Sequence, residues 1–179
     1  LEGIHTDVTM TYEAGTISSS QASISGYVND VTITFTMNYH TTAEQEAFVD
    51  SEVKRIAGEL FTSTMSDVDK VKAVNDYIVL NTTYSTQTIA SPHAAYAILK
   101  EGKGVCQAYA LLAYRLLKEA GLDAYYVSGE AGGGPHGWNL VKVDGKWYHL
   151  DTTWNDPVFN ASAGDMSDFI MYKYFLVPD

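Results

Sequence analysis

From Val105 to Leu117 the chain is apolar at nearly every position, with Gln107 and Arg115 the only strongly polar residues. A helix that is apolar all round belongs inside a protein, so the rest of the chain has to wrap this segment, and Gly121 supplies its stop signal. Cys106 falls in the first turn, after Gly102 and Gly104. There, unpaired N–H groups and the helix macrodipole favour negative charge, and a thiolate is favoured over a thiol. It is the sole cysteine of 179 residues, which rules out an internal disulfide and a multi-cysteine zinc site. Cys106 is therefore either a small buried residue or a reactive thiol.

Past this helix, Ala124 to Ser128 reads as a strand and Gly129 to Pro135, with four glycines and a proline, as a mobile loop. Trp138–Val143 and Lys146–Asp151 then flank Asp144-Gly145, the strongest short signal for a two-residue hairpin. With that turn, Trp138 faces Asp151, Leu140 faces His149 and Lys142 faces Trp147. His136 shares the face of Trp138 and is diagonal to Asp151, about 7 Å away between backbones, a gap that side chains bridge.

The preceding residues alternate in type. Val8, Met10 and Tyr12, and later Val31, Ile33, Phe35 and Met37, are interleaved with threonines, the period of a strand; Ser18 to Gly26 reads as the loop between. At Thr42 the period becomes helical, with Gln45 completing a capping box ahead of Val49, Val53, Ile56, Ala57 and Leu60. Ser66 with Asp69 starts a second helix through Val71, Val74 and Ile78, and Ser91-Pro92 starts a short third closed by Gly102. The expected class is α+β: a β-rich accessory or edge segment over 1–41 and a core over 42–179, cut short at its C-terminus. The ends at Leu1 and Asp179 read as those of a fragment of a longer polypeptide.

Charge narrows the partners. A formal net charge of −11 leaves no basic stripe for phosphates, which argues against nucleic acid, and no run of about 18 apolar residues offers a membrane span. Residues 1–53 hold eight acids and no Lys or Arg and are rich in Ser and Thr, a composition that points to an extracellular or cell-surface protein.

A thiol at a helix start, a His on a strand and an Asp able to orient that His are the parts of an activated nucleophile. Cys106 would attack an acyl carbon, His136 would take its proton and Asp151 would hold the ring. The Cys106 backbone N–H, with Tyr84 or Gln107 as a second donor, would meet the oxyanion. Trp138 and Trp154 are either groove walls or core aromatics. His149, opposite Leu140, is read as packed or hydrogen-bonded, and His93 as a cap or surface residue. Asp156, Asp165 and Asp168 lack the spacing of a calcium loop and read as a solvated acidic loop; neither a metal nor a cofactor is expected.

Gly104-Val105-Cys106-Gln107 with Tyr109-Ala110, His136-Gly137-Trp138-Asn139, and Gly145 to Trp154 follow one another in an order that resembles the core of the bacterial transglutaminase-like superfamily, over about Asp67 to Asp179. Ala108 stands where Gly is usual and Gly137 where Ala is common, both small for small. The resemblance implies a papain-like α+β scaffold with Cys106 as nucleophile, His136 as base and Asp151 as third member. It leaves open a protein-directed hydrolase or crosslinker, a binding or scaffold module and an autoprocessing domain. A glycine-rich approach to His136 favours hydrolysis, as a peptidase or deamidase, over transamidation.

Overall fold

The structure, a computed structural model, describes residues 6–14, 31–156 and 169–178. The described residues divide into two compact units, one ending at His40 and the other beginning at Thr41. In the smaller unit, β1 (Thr6–Ala14) and β2 (Val31–Tyr39) form an antiparallel pair in which Met10 faces Phe35.

The larger unit opens with two capped helices. Thr42 and Gln45 close a capping box on α1 (Ala43–Leu60), and Ser66 and Asp69 close one on α2 (Asp67–Asn81), so the orphan N–H groups of both starts have side-chain partners. Val49, Val53 and Ile56 of α1 and Val71, Val74 and Ile78 of α2 are buried. They pack in one core with α3 (Ala95–Glu101) and the apolar helix α4 (Cys106–Glu119). On α4, Tyr109, Leu112, Leu116 and Leu117 are completely buried, each contributing roughly 1.5–3 kcal/mol relative to exposure. Gly121, at φ 81, ends it in the left-handed conformation.

The third helix begins at Ala95, three residues beyond its expected Pro92 start. The Pro92 carbonyl instead accepts the Val105 N–H at 2.9 Å, which holds the residue in a turn. Two short strands, β3 (Thr83–Tyr84) and β4 (Lys103–Gly104), pair in parallel and bring Tyr84 beside Gly104. A Cβ at Gly104 would stand 2.8 Å from that of Ala108 and 3.0 Å from Ile98. Glycine here lets β4 approach α3 and α4 closely.

Behind α4 lies an antiparallel sheet in the order β5 (Ala124–Ala131), β6 (Gly134–Val143), β7 (Lys146–Leu150). The β6–β7 register pairs Leu140 with His149 and Lys142 with Trp147, as the Asp144-Gly145 turn predicts. The stretch Gly129–Pro135 is not a loop. β5 runs on to Ala131, and Gly132 and Gly133, at φ 62 and 89, form a second two-residue turn, a conformation that glycine adopts without penalty. Pro135 is tolerated because the hydrogen-bonded pair closing the turn is Ala131–Gly134; the next residue's nitrogen points away from β5, beyond the end of β7. Ala124, Val141, Val143 and Leu150 bury one face of the sheet, and the buried Asn139 amide donates to the Ala110 carbonyl of α4 at 2.9 Å. By alternation, His136, Trp138 and His149 stand on the other face. Among the described residues no helix is long and apolar enough to cross a membrane.

Candidate active site

The start of α4 differs from the starts of α1 and α2. Its N-cap is Val105, which offers no side-chain hydrogen bond, and its first turn carries no acid. The N-cap residue therefore offers these N–H groups no acceptor of its own, and an incoming anion is favoured there. Cys106 sits at that start, partly exposed. Two tyrosines attend it. Burial raises the pKa of Tyr84, and its hydroxyl also interacts with the Cys106 thiol and backbone N–H; Tyr126 on β5 is raised by burial and then by the charge of Cys106. The Tyr126 ring lies over Gly137, where an added Cβ would meet its hydroxyl at 3.0 Å.

On the sheet, His136 Nε2 is 2.6 Å from Asp151 Oδ2. A carboxylate only accepts, so Nε2 carries the hydrogen and Nδ1 is left as the basic atom of the ring. The rings of Trp154 and Trp138 lie nearly parallel to His136, with centroids 4.5 and 5.9 Å away. Trp138 is itself fixed, because its indole N–H donates to Nδ1 of His149 at 2.9 Å.

A single turn carries the remainder. Asp151 Oδ1 accepts the Trp154 N–H at 3.0 Å, and the Asp151 carbonyl accepts the Asn155 N–H at 3.1 Å. Asn155, with no exposed surface, donates its side-chain amide to Asn75 of α2 at 2.8 Å and accepts the Tyr174 N–H at 2.9 Å. Its carbonyl accepts the Met171 N–H. Asp156, next in line, accepts the hydroxyl of the completely buried Tyr109 at 2.6 Å. Burial raises the Asp156 pKa, against the lowering effect of that hydrogen bond, and burial raises Tyr109 far above the ordinary phenol. The C-terminal segment completes the support: the Tyr174 ring lies 4.9 Å from Trp154, and Val177 bridges to His149.

The structure thus brings His136 and Asp151 into direct contact and sets Cys106 beside Tyr84, with no hydrogen bond from Cys106 to His136 among the described residues. Gln107 has its Nε2 buried without a partner among those residues, and His93 is exposed. Asp156 corrects the expectation of a solvated acidic loop, since a buried tyrosine on α4 holds it; Asp165 and Asp168 lie outside the described residues. Sequence reasoning missed Tyr126, Asn155 and Asn75. Asn155 had a signal, since a polar residue four positions past a candidate Asp can tie off the turn that carries it.

Residues 54–152 match the family described as Transglutaminase-like superfamily, by its Transglut_core region. The chain is 24% identical over 144 residues to the kyphoscoliosis peptidase of Mus musculus and 23% over 142 to that of Homo sapiens. These alignments cover 72% and 70% of this chain and 22% of each relative, so the chain spans about a fifth of the length of those proteins. A crystal structure of a TGase superposes with a TM-score of 0.55 at 27% identity, over 72% of this chain and 38% of the other.

Proposed function

Because the chain belongs to the transglutaminase-like superfamily, we propose that it is an enzyme of thiol-dependent acyl transfer on protein or peptide substrates, with Cys106, His136 and Asp151 as its catalytic residues. The observation that carries this is the 2.6 Å bond from His136 to Asp151. It fixes the tautomer that leaves Nδ1 free to take the thiol proton, and the buried carboxylate stabilises the imidazolium that results.

The Cys106 sulfur then bonds to the acyl carbon of a peptide or glutamine amide, and the carbonyl oxygen becomes an oxyanion. The Cys106 backbone N–H and the Tyr84 hydroxyl are its donors; Tyr84 is preferred to Gln107 because its hydroxyl interacts with Cys106. Collapse breaks the C–N bond, and the departing amine or ammonia takes the proton from Nδ1. Water then attacks the thioester and gives Nδ1 a proton, which returns to sulfur as the acid leaves. Catalytic hydrogen bonds of this kind tighten in the substrate complex.

Hydrolysis is favoured over amine transfer on two grounds. Tyr84 is 45% exposed and the Gly132-Gly133 tip has no side chain to wall off water; the curated relatives, moreover, carry the name peptidase. The test incubates the protein, beside a Cys106→Ala control, with a glutamine-containing protein and a labelled primary amine. New peptide termini or ammonia release, dependent on Cys106, is the expected result. Efficient incorporation of label at millimolar amine would overturn hydrolysis, and turnover by Cys106→Ala would overturn the nucleophile.

A further inference from the structure

A cavity of about 280 Å³ opens beside His136 and Asp151, and Cys106 is not part of its lining. Complete small-molecule sites run from about 300 to 1,000 Å³, so this one is sized for a single large side chain. Trp138, Trp154 and Tyr174 supply aromatic walls, and Ala131 and Val177 aliphatic ones. Polar groups at its edge are engaged with one another. The Asp151 carboxylate accepts from His136 on one oxygen and from the Trp154 N–H on the other, and the Trp138 N–H donates to His149. Glu130 borders the cavity as well, but it pairs with Pro135, one position out of step with His136, so its side chain belongs to the opposite face of the sheet. An acidic occupant would meet the Asp151 charge, and a basic one would give up its hydration for a carboxylate whose two oxygens are both taken. A large apolar side chain meets neither cost, and a short one would leave the aromatic walls uncovered.

His136 decides which part of a substrate comes here. In the proposed reaction the acyl carbon and its oxygen stay at the start of α4, with Cys106 and Tyr84, whereas the nitrogen set free takes its proton from His136. A cavity that adjoins His136 and not Cys106 therefore lies on the side of the departing amine. We infer that it is a specificity pocket for a large apolar side chain, aromatic or of the leucine type, on the residue that follows the broken peptide bond. It rests on the proposed acyl transfer and adds to it the residue that leaves.

The pocket can be tested without turnover. The three indole N–H signals of Trp138, Trp147 and Trp154 are followed by NMR while the amides of phenylalanine, leucine, alanine, arginine and glutamate, mimics of the departing residue, are titrated in. Trp147, which packs on Tyr125 outside the cavity, is the internal control. Phenylalanine and leucine amides should move the Trp138 and Trp154 signals saturably and bind about tenfold more tightly than alanine amide, the least that a missing methylene costs in an apolar pocket. Arginine and glutamate amides should bind no better than alanine amide. Val177→Asp, which sets a charge in the wall, and Val177→Phe, which fills the cavity without one, should each remove the preference. Arginine amide as tight as phenylalanine amide, no saturable movement, or indifference to both variants would overturn the pocket. Its place on the leaving side is read from the new N-termini that the protein, beside the Cys106→Ala control, releases from unfolded casein. Aromatic residues, leucine and methionine should be enriched just after the cut and not just before it. Enrichment before the cut, no enrichment, or ammonia release without new termini would overturn that placement. Absence of any Cys106-dependent product would overturn the proposed reaction, and the titration then decides the pocket by itself.

Discussion

Replacing Asn155 by alanine should cost the larger unit about 2–4 kcal/mol, although the residue is not one of the proposed catalytic groups. Its side chain makes two hydrogen bonds, to Asn75 Oδ1 and from the Tyr174 N–H. Asn75 is itself fully buried, so the substitution strands an acceptor out of reach of water, a penalty of roughly 1–3 kcal/mol. The Tyr174 N–H is only partly buried and adds about 1 kcal/mol, the net worth of an ordinary hydrogen bond. Against a typical total of about 5–15 kcal/mol, that is a large fraction. Guanidinium denaturation should show a lower midpoint with an unchanged slope. A double-mutant cycle sharpens the test: Asn75→Ala removes the stranded acceptor, so the double variant should cost less than the two single variants together by about 1–3 kcal/mol. Because Tyr174 backs Trp154, and Trp154 stacks on His136, Cys106-dependent turnover should fall as well. A loss under about 1 kcal/mol, or strict additivity with Asn75→Ala, would refute the reasoning.

His136→Ala should slow capture of Cys106 by iodoacetamide with the fold intact by circular dichroism, whereas His149→Ala, which strips Trp138 of its acceptor, should lower thermal stability and leave the thiol reactive; the reverse pattern would move the base to His149. Asp156 has a raised folded pKa, so the fold binds its proton more tightly than the unfolded chain does. That contribution is present in full below the unfolded carboxylate pKa, about 3.9 for Asp, and is lost as pH rises through the folded value. Asp156→Asn keeps an acceptor for Tyr109 and should flatten that part of a denaturation-versus-pH curve; an unchanged curve would show that the carboxyl does not titrate differently in the fold. Gly104→Ala should destabilise by about 1–3 kcal/mol through overpacking, since Ala108 backs onto the new methyl at 2.8 Å, and a melting temperature equal to that of the parent would contradict it.

Much of the fold is legible in the chain because its rules are local. Capping boxes at Thr42 and Ser66, the apolar run after Cys106 and the Asp144-Gly145 turn each depend on residues within a few positions of one another, so helix starts and hairpin register follow from spacing alone. Register, in turn, brings the backbones of His136 and Asp151 within side-chain reach. Where local signals compete, the reading fails. Gly129–Pro135 has the composition of a loop, yet Gly132-Gly133 is a hairpin turn once β5 and β6 pair around it, and Pro92 is drawn out of α3 by the Val105 N–H. Tertiary structure alone decides the surroundings of the site. Tyr84 reaches Cys106 only through the parallel β3–β4 pair, 22 residues apart in the numbering. Asn155 finds Asn75, and Asp156 finds Tyr109, across separations of 80 and 47 positions. No periodicity records such pairs, because a buried polar side chain is satisfied by whichever element packs against it, and that choice belongs to the whole fold.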